Sequence, residues 1–335
     1  MDFTLSQTQE AWRARGAALG RELPDGAAAA EVIVAAARAG LLDAQDDLLA
    51  AAVAVEAAAQ SRAAAAIALA LHLGVLRGAS SSPPAHAGAA RPDVSALRRG
   101  TTVGAIALSS DDLPSEADSR LTGRASWVAP LVAEGLVLVG ARRTGAQARP
   151  EAAVCAARLS GDGTSLEPVE TAGLHGVACG HVRFSMTPCT VLGEPAPIMA
   201  AIRILLAAAG LGMGRRALRE SLSVARRQGR TTDAGGEQTV QGLLADTATE
   251  LDAAMLLIWK AASARTLSLA EASMAKLAAT DATQRAVTRA TQVIGAEAFR
   301  TGHVIAVLAQ DVRALELFAG RTESLREAVA VETLP

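Results

Sequence analysis

The run Ala272-Ser-Met-Ala-Lys276-Leu decides the fold, together with Gln292-Val-Ile-Gly295-Ala-Glu-Ala-Phe299, Gln310-Asp311-Val-Arg313 and Leu317-Phe318-Ala319-Gly320 behind it. All four pieces lie in a region of sustained helical periodicity that begins near Ala196. Apolar residues recur there at spacings of three and four over roughly 197–228, 237–268, 270–295 and 302–330. Gly, Thr and Asp residues near 229–236 and 295–301 separate these segments. Four long helices in series predict a bundle.

Working outward from the bundle, the pattern changes on its N-terminal side. Residues 103–108, 135–141, 152–159 and 181–184 form short apolar or alternating runs, punctuated by turns such as Ser160-Gly-Asp-Gly. They predict an antiparallel β domain. Residues 4 to about 77 are helix-periodic again, with only Pro24 interrupting, and Ser80-Ser81-Ser82-Pro83-Pro84 reads as a turn or linker. The expected fold is α+β: an N-terminal helical domain over 1–100, a middle antiparallel β domain over 101–195 and a C-terminal four-helix bundle over 196–335.

The composition excludes several classes. With 335 residues, half of them apolar and 20% charged, the chain is ordered and globular. Its 32 basic residues face 34 acidic ones, without the basic excess of a dedicated nucleic-acid binder. The uncharged run 63–76 lies between Arg62 and Arg77 and suits a buried helix better than a membrane span. Three cysteines without zinc-type spacing, and an opening without the profile of a signal peptide, predict a reduced, cytoplasmic protein.

Three local patterns have bland readings that fit better than the chemical ones. Gly210-Leu-Gly212-Met-Gly214 sits inside a helix-periodic stretch with no strand before it, so close helix packing is expected rather than dinucleotide binding. His175-Gly-Val-Ala-Cys179-Gly-His181 offers three ligand types, but no second cluster completes a metal site, and no metal is expected. Arg215, Arg216, Arg219, Arg226, Arg227 and Arg230 are expected on solvated or ion-paired faces, although an arginine group also grips phosphates.

In order and spacing, the C-terminal runs resemble the acyl-CoA dehydrogenase family, whose members carry Ala-Ser-Met-Ala-Lys, Gln-x-x-Gly-Gly-x-Gly, Arg-Asp-x-Arg and Tyr-Glu-Gly-Thr. Upstream, Arg227, Gln238, Val240-Gln241 and Leu244-Ala245-Asp246 resemble the same family's pattern, as does Gly123-Arg-Ala-Ser-Trp127. The resemblance implies FAD held between the β domain and the bundle, with a neighbouring subunit completing the site. It implies an acyl thioester substrate, on CoA or on an acyl-carrier protein, whose α-proton goes to a glutamate and whose β-hydride goes to the flavin. Trp127 matches the flavin-stacking aromatic, the alternative being an ordinary core residue. Arg227 matches the arginine on the FAD pyrophosphate across the interface, and Gln238 and Gln292, with Gly295 beside the latter, match the adenylate contacts. Surface polar residues are the alternative there.

The departures from the pattern are chemical. Ala319 stands where the family has its glutamate, and Arg321 stands at the following threonine. Ile202, before Arg203, stands at the other position from which some members supply the base. Loss of a general base costs on the order of 10²–10⁴-fold in rate. Glu316 is the one local substitute, and a solvated or salt-bridged helix residue is its alternative reading. Ala129 replaces the threonine that bonds the flavin, Ala296 replaces a glycine, and the loop near 107–112 lacks the family's usual residues. The resemblance thus implies a subunit without the base that completes the FAD site of a homologous partner. A homo-oligomer with a relocated base, and a cofactor-free scaffold, stand as the other readings.

Overall fold

Alanine- and leucine-rich stretches with high helix propensity open the computed structural model, which describes residues 4–81, 92–107, 112–143, 151–161, 163–193, 195–231 and 237–334. Helix α1 (Gln7–Glu22) starts at a capping box, with the Gln9 N–H on Ser6 Oγ at 3.2 Å and the Ser6 N–H on Gln9 Oε1 at 3.0 Å. Pro24 follows it, and α2 (Ala29–Arg38), α3 (Leu48–Ala59), α4 (Ala63–Ser81) and α5 (Val94–Arg98) complete the N-terminal helices. Gly16 and Gly20 leave no space for a side chain against the backbone of Ala54 and Ala58, so α1 and α3 meet backbone to backbone. The expected linker lies outside the described residues from Ser82 onward, and Ser80 and Ser81 still belong to α4.

Seven strands follow among the described residues: β1 (Val103–Ala107), β2 (Ser115–Ala117), β3 (Arg120–Val128), β4 (Gly135–Arg143), β5 (Glu151–Arg158), β6 (Thr164–Val169) and β7 (Cys179–Gly193). Their order is β1-β4-β2-β3-β7-β5, with β6 on β7 and β5 returning to β4. The sheet is mixed rather than wholly antiparallel, because β1 and β2 each run parallel to β4. Alternating hydrophobicity tells which face a residue lies on and is silent about the direction of its neighbour. Leu121, Val137, Val139, Val182 and Phe184 fill the core of this domain.

The bundle consists of α6 (Pro195–Arg227), α7 (Gln238–Ala262), α8 (Leu269–Ile294), α9 (Val304–Leu317) and α10 (Thr322–Thr333). The segment expected as one helix over 302–330 is two. It breaks where Ala319 (φ 55°) and Gly320 (φ 116°) turn left-handed, while the buried Ala319 keeps the apolar rhythm unbroken. Gly212 of α6 abuts the Glu56 backbone of α3, and Gly214 abuts Leu251 and Thr283, so the small residues serve close packing. Helices α4 and α6 are long and apolar enough to cross a membrane by length and composition. Buried residues make up 83% and 89% of their apolar windows, which are core of this chain.

A buried histidine ties the N-terminal helices to the sheet. His72 Nδ1 accepts the Gly104 N–H at 2.9 Å, leaving Nε2–H to donate to the Leu97 carbonyl at 3.1 Å. Burial lowers its pKa to about 4, so the bridge is built with neutral imidazole.

Candidate functional site

The register between β3 and β7 slips between Ala125 and Val128, and this bulge carries Trp127. Its φ of 57° is strained for a large side chain. A bulge of this kind re-aims a residue out of the sheet, and Trp127 is 54% exposed, so it is not a core residue. His181 holds it in place: Nδ1 lies 3.4 Å from the Trp127 N–H, and the two rings meet edge to face at 5.6 Å and 69°.

Trp127 forms one wall of a cavity of about 480 Å³ between the sheet and the end of α9. Arg124 and His181 line the same side, and Leu317, Phe318 and Arg321 face them. The two sides are joined next to the cavity. Gly173 fits against the backbone of Gln310 and Asp311, and the Leu174 N–H donates to Asp311 Oδ1 at 2.6 Å. Burial raises the Asp311 pKa, with the Leu174 N–H opposing the rise. A flat ring system fits against the exposed indole of Trp127. Ala129 is fully buried, its backbone paired with Ile106, and it offers the cavity no hydroxyl. Of the loop near 107–112, residues 108–111 lie outside the described residues.

Between Phe318 and Arg321 the chain turns Ala319 inward, where it is buried. Two buried cations pin this corner. Arg203 donates from Nε to the Ala319 carbonyl at 2.9 Å and from Nη1 to Ser273 Oγ at 2.7 Å. Lys276 Nζ donates to the Gly320 carbonyl at 2.9 Å and to the Glu316 carbonyl at 3.4 Å. Burial lowers the Arg203 pKa to about 10. Burial and the neighbouring Arg203 charge lower that of Lys276 to about 7, against the pull of Glu316. Ile202 is also fully buried, packed on Gly74 of α4. Neither position expected for a base presents a carboxylate or faces the cavity.

Glu316 points its carboxylate elsewhere. It accepts from Gln284 Nε2 at 2.8 Å, Thr322 Oγ1 at 3.1 Å and Arg313 Nη1 at 3.2 Å. Burial alone raises its pKa, but these three hydrogen bonds and the Arg313 charge outweigh burial and leave it below the usual carboxylate value. Such a group is a poor proton acceptor near neutrality.

Arg227, Gln238 and Gln292 lie at the opposite end of the bundle. They sit on the last turn of α6, the first residue of α7 and the last turn of α8. Arg230 fastens these three ends together, with Nη1 on the Val293 carbonyl at 2.8 Å and Nε on Glu237 Oε2 at 2.7 Å. Ala225, Val240 and Val293 pack beneath. All three candidate side chains are exposed. Arg227 donates to Ser223 Oγ at 2.6 Å, and neither glutamine side chain has a hydrogen bond among the described residues. Gly295 (φ 80°) closes α8 beside them, its N–H on the Thr291 carbonyl. An arginine fork with two free amides suits a phosphate and the edge of a base.

The sequence reading missed the roles of Arg203, Lys276 and His181. Lys276 carried a signal: it is one of two lysines and falls among Ala272, Ala275 and Ala279 on the apolar face of α8. His181 was weighed as a metal ligand and supports Trp127 instead. No group of three metal-ligating side chains occurs among the described residues.

Residues 198–334 match the family model described as acyl-CoA dehydrogenase, C-terminal domain. The fold is similar over its whole length to butyryl-CoA dehydrogenase from Megasphaera elsdenii, at 19% identity with all of both chains covered and a TM-score of 0.83. It is similar to glutaryl-CoA dehydrogenase from Mycobacterium smegmatis in complex with FADH2, at 12% identity, 98% and 95% coverage and a TM-score of 0.81. Nitroalkane oxidase crystallized with 1-nitrooctane matches at 17% identity, 100% and 97% coverage and a TM-score of 0.79. Residues 198–334 thus carry the sequence pattern of an acyl-CoA dehydrogenase C-terminal domain, and the whole length is similar in fold to these enzymes.

Proposed function

We propose that this chain serves in the α,β-dehydrogenation of an acyl thioester, as the subunit that lacks the base and completes the FAD site of a homologous, glutamate-bearing partner. The observation that carries the reading is the separation of the two candidate half-sites. Gln292 lies sixteen residues beyond Lys276 on the same helix, about 24 Å along its axis. The exposed Arg227–Gln238–Gln292 end therefore lies well apart from the corner beside this chain's own Trp127 cavity and is free to serve a second chain's.

In this reading Arg227 grips a diphosphate through its fork, and Gln238 and Gln292 orient the adenylate end. FAD, when bound, accepts the β-hydride of the thioester. On this chain's own side, Trp127 and His181 offer a flat wall. The corner at Ala319 has lost the carboxylate that takes the α-proton, and its cations are committed to holding the backbone. The thioester carrier is CoA or an acyl-carrier protein, and the complex works in the cytoplasm as at least a pair of chains. A homo-oligomer that uses its own cavity is the second reading, favoured by the open Trp127 wall. Glu316 is a poor base for it, given its three hydrogen bonds.

Co-purification with a homologue that carries the glutamate, followed by a turnover assay with acyl-CoA, tests the proposal. Arg227→Ala in this chain should lower the flavin content and activity of the complex although this chain bears no base. Full activity in that variant would overturn the division of labour.

A further inference from the structure

A second cavity, of about 470 Å³, lies among α1, α3, α6 and α7 and shares no residue with the Trp127 site. Its walls are helical stripes at one-turn spacing. Arg13, Ala17 and Arg21 come from α1, Glu56 from α3 and Gln60 from its C-cap, Arg215 and Arg219 from α6, and Met255 and Trp259 from α7. Close approach builds it: the glycines of α1 and Gly212 of α6 bring both helices onto the backbone of α3, leaving a groove roofed by α7.

The charges in this groove do not balance. Arg215 is compensated by Glu56 at 2.8 Å and Asp252 at 3.0 Å, and Arg13 by Glu10. Among the described residues Arg219 bonds only to the carbonyl and amide oxygens of Gln60, at 2.7 and 3.4 Å. Arg21 makes no ion pair among the described residues. Two cations from different helices thus face one cleft without a carboxylate of their own, and its low-dielectric walls concentrate their field. Opposite them, Met255 and the half-buried Trp259 give a polarisable, apolar wall.

We propose that this groove binds a phosphorylated ligand with a flat or apolar body, of the nucleoside-polyphosphate class. Arg21 and Arg219 receive the phosphates and Trp259 with Met255 receives the body. The site is independent of the function proposed above. Arginine forks match phosphate oxygens in pairs.

The test is calorimetric titration of the full chain with ATP, with pyrophosphate as the head group alone. ATP should bind saturably, and about tenfold or more tighter than pyrophosphate, given the body's burial. The double variant Arg21→Gln/Arg219→Gln should lose at least about tenfold in ATP affinity while unfolding at the same temperature, because both side chains are exposed. Trp127→Phe should bind ATP as the unaltered chain does. Absence of saturable binding, equal affinity in the double variant, loss of binding in Trp127→Phe, or pyrophosphate matching ATP would each overturn the assignment.

Discussion

The two ends of α8 have opposite characters. At one, Ser273 and Lys276 lie buried: Lys276 donates to the Gly320 carbonyl of the α9–α10 corner, and Arg203 donates to the Ala319 carbonyl there and to Ser273 Oγ. At the other, Arg227, Gln238 and Gln292 stand exposed on a frame fastened by Arg230. The first end is sealed, satisfied from within and without a carboxylate at Ala319. The second holds its polar groups outward on rigid helix termini. A polar group saturated inside the fold stabilises the fold, whereas one held rigid and unsatisfied is available to a ligand. Under the proposed division of labour, the first end serves the fold of this chain and the second serves a partner's site.

The comparison breaks most readily through stability. Arg203→Leu should cost about 2–4 kcal/mol in urea unfolding, because it strands the Ala319 carbonyl and Ser273 in a dry corner. Arg227→Ala should stay within about 0.5 kcal/mol, as an exposed residue does. Equal losses at the two sites would erase the difference between the ends.

The pH dependence sharpens the same contrast. The Lys276 pKa falls from 10.5 to about 7 on folding, so between those values the unfolded chain holds a proton that the folded chain has released. Stability should therefore rise with pH through that window, by at most about 1.4 kcal/mol per pH unit, and Lys276→Met should flatten the rise. His72, lowered from 6.5 to about 4, gives a second window. Stability should fall there as pH drops from about 6.5 towards 4, equally in the unaltered chain and in Lys276→Met.

Glu316→Gln should have a small effect on both stability and turnover. An amide keeps an acceptor oxygen for Gln284 or Thr322, so stability should change by less than about 1 kcal/mol. Turnover of the complex should stay within about twofold, since no proton passes through this group. A collapse of turnover with the fold intact would make Glu316 a relocated base.

The long helices were legible because their apolar residues repeat with the helix itself. Strands β2, β3 and β6 were not legible as apolar runs: β6 buries no residue fully, and β3 buries only Leu121 in its first half. The break at Ala319 escaped because a buried alanine continues the helical pattern through a left-handed turn. At the site, Ala319 and Ile202 were singled out by the resemblance to the family's motifs. The cationic joint could not, since Arg203 meets Ala319 and Ser273 across 116 and 70 residues of chain. Trp127 shows the same limit: its position was legible, but its exposure depends on a register slip against β7.

The central claim, that this chain contributes half of a shared site, is tested most directly by the visible absorption of the protein. The spectrum should be taken once from the chain purified alone and once after co-expression with a glutamate-bearing homologue. The account predicts a colourless chain alone and bound oxidised flavin in the complex. Flavin bound at one per chain in the protein purified alone would contradict it.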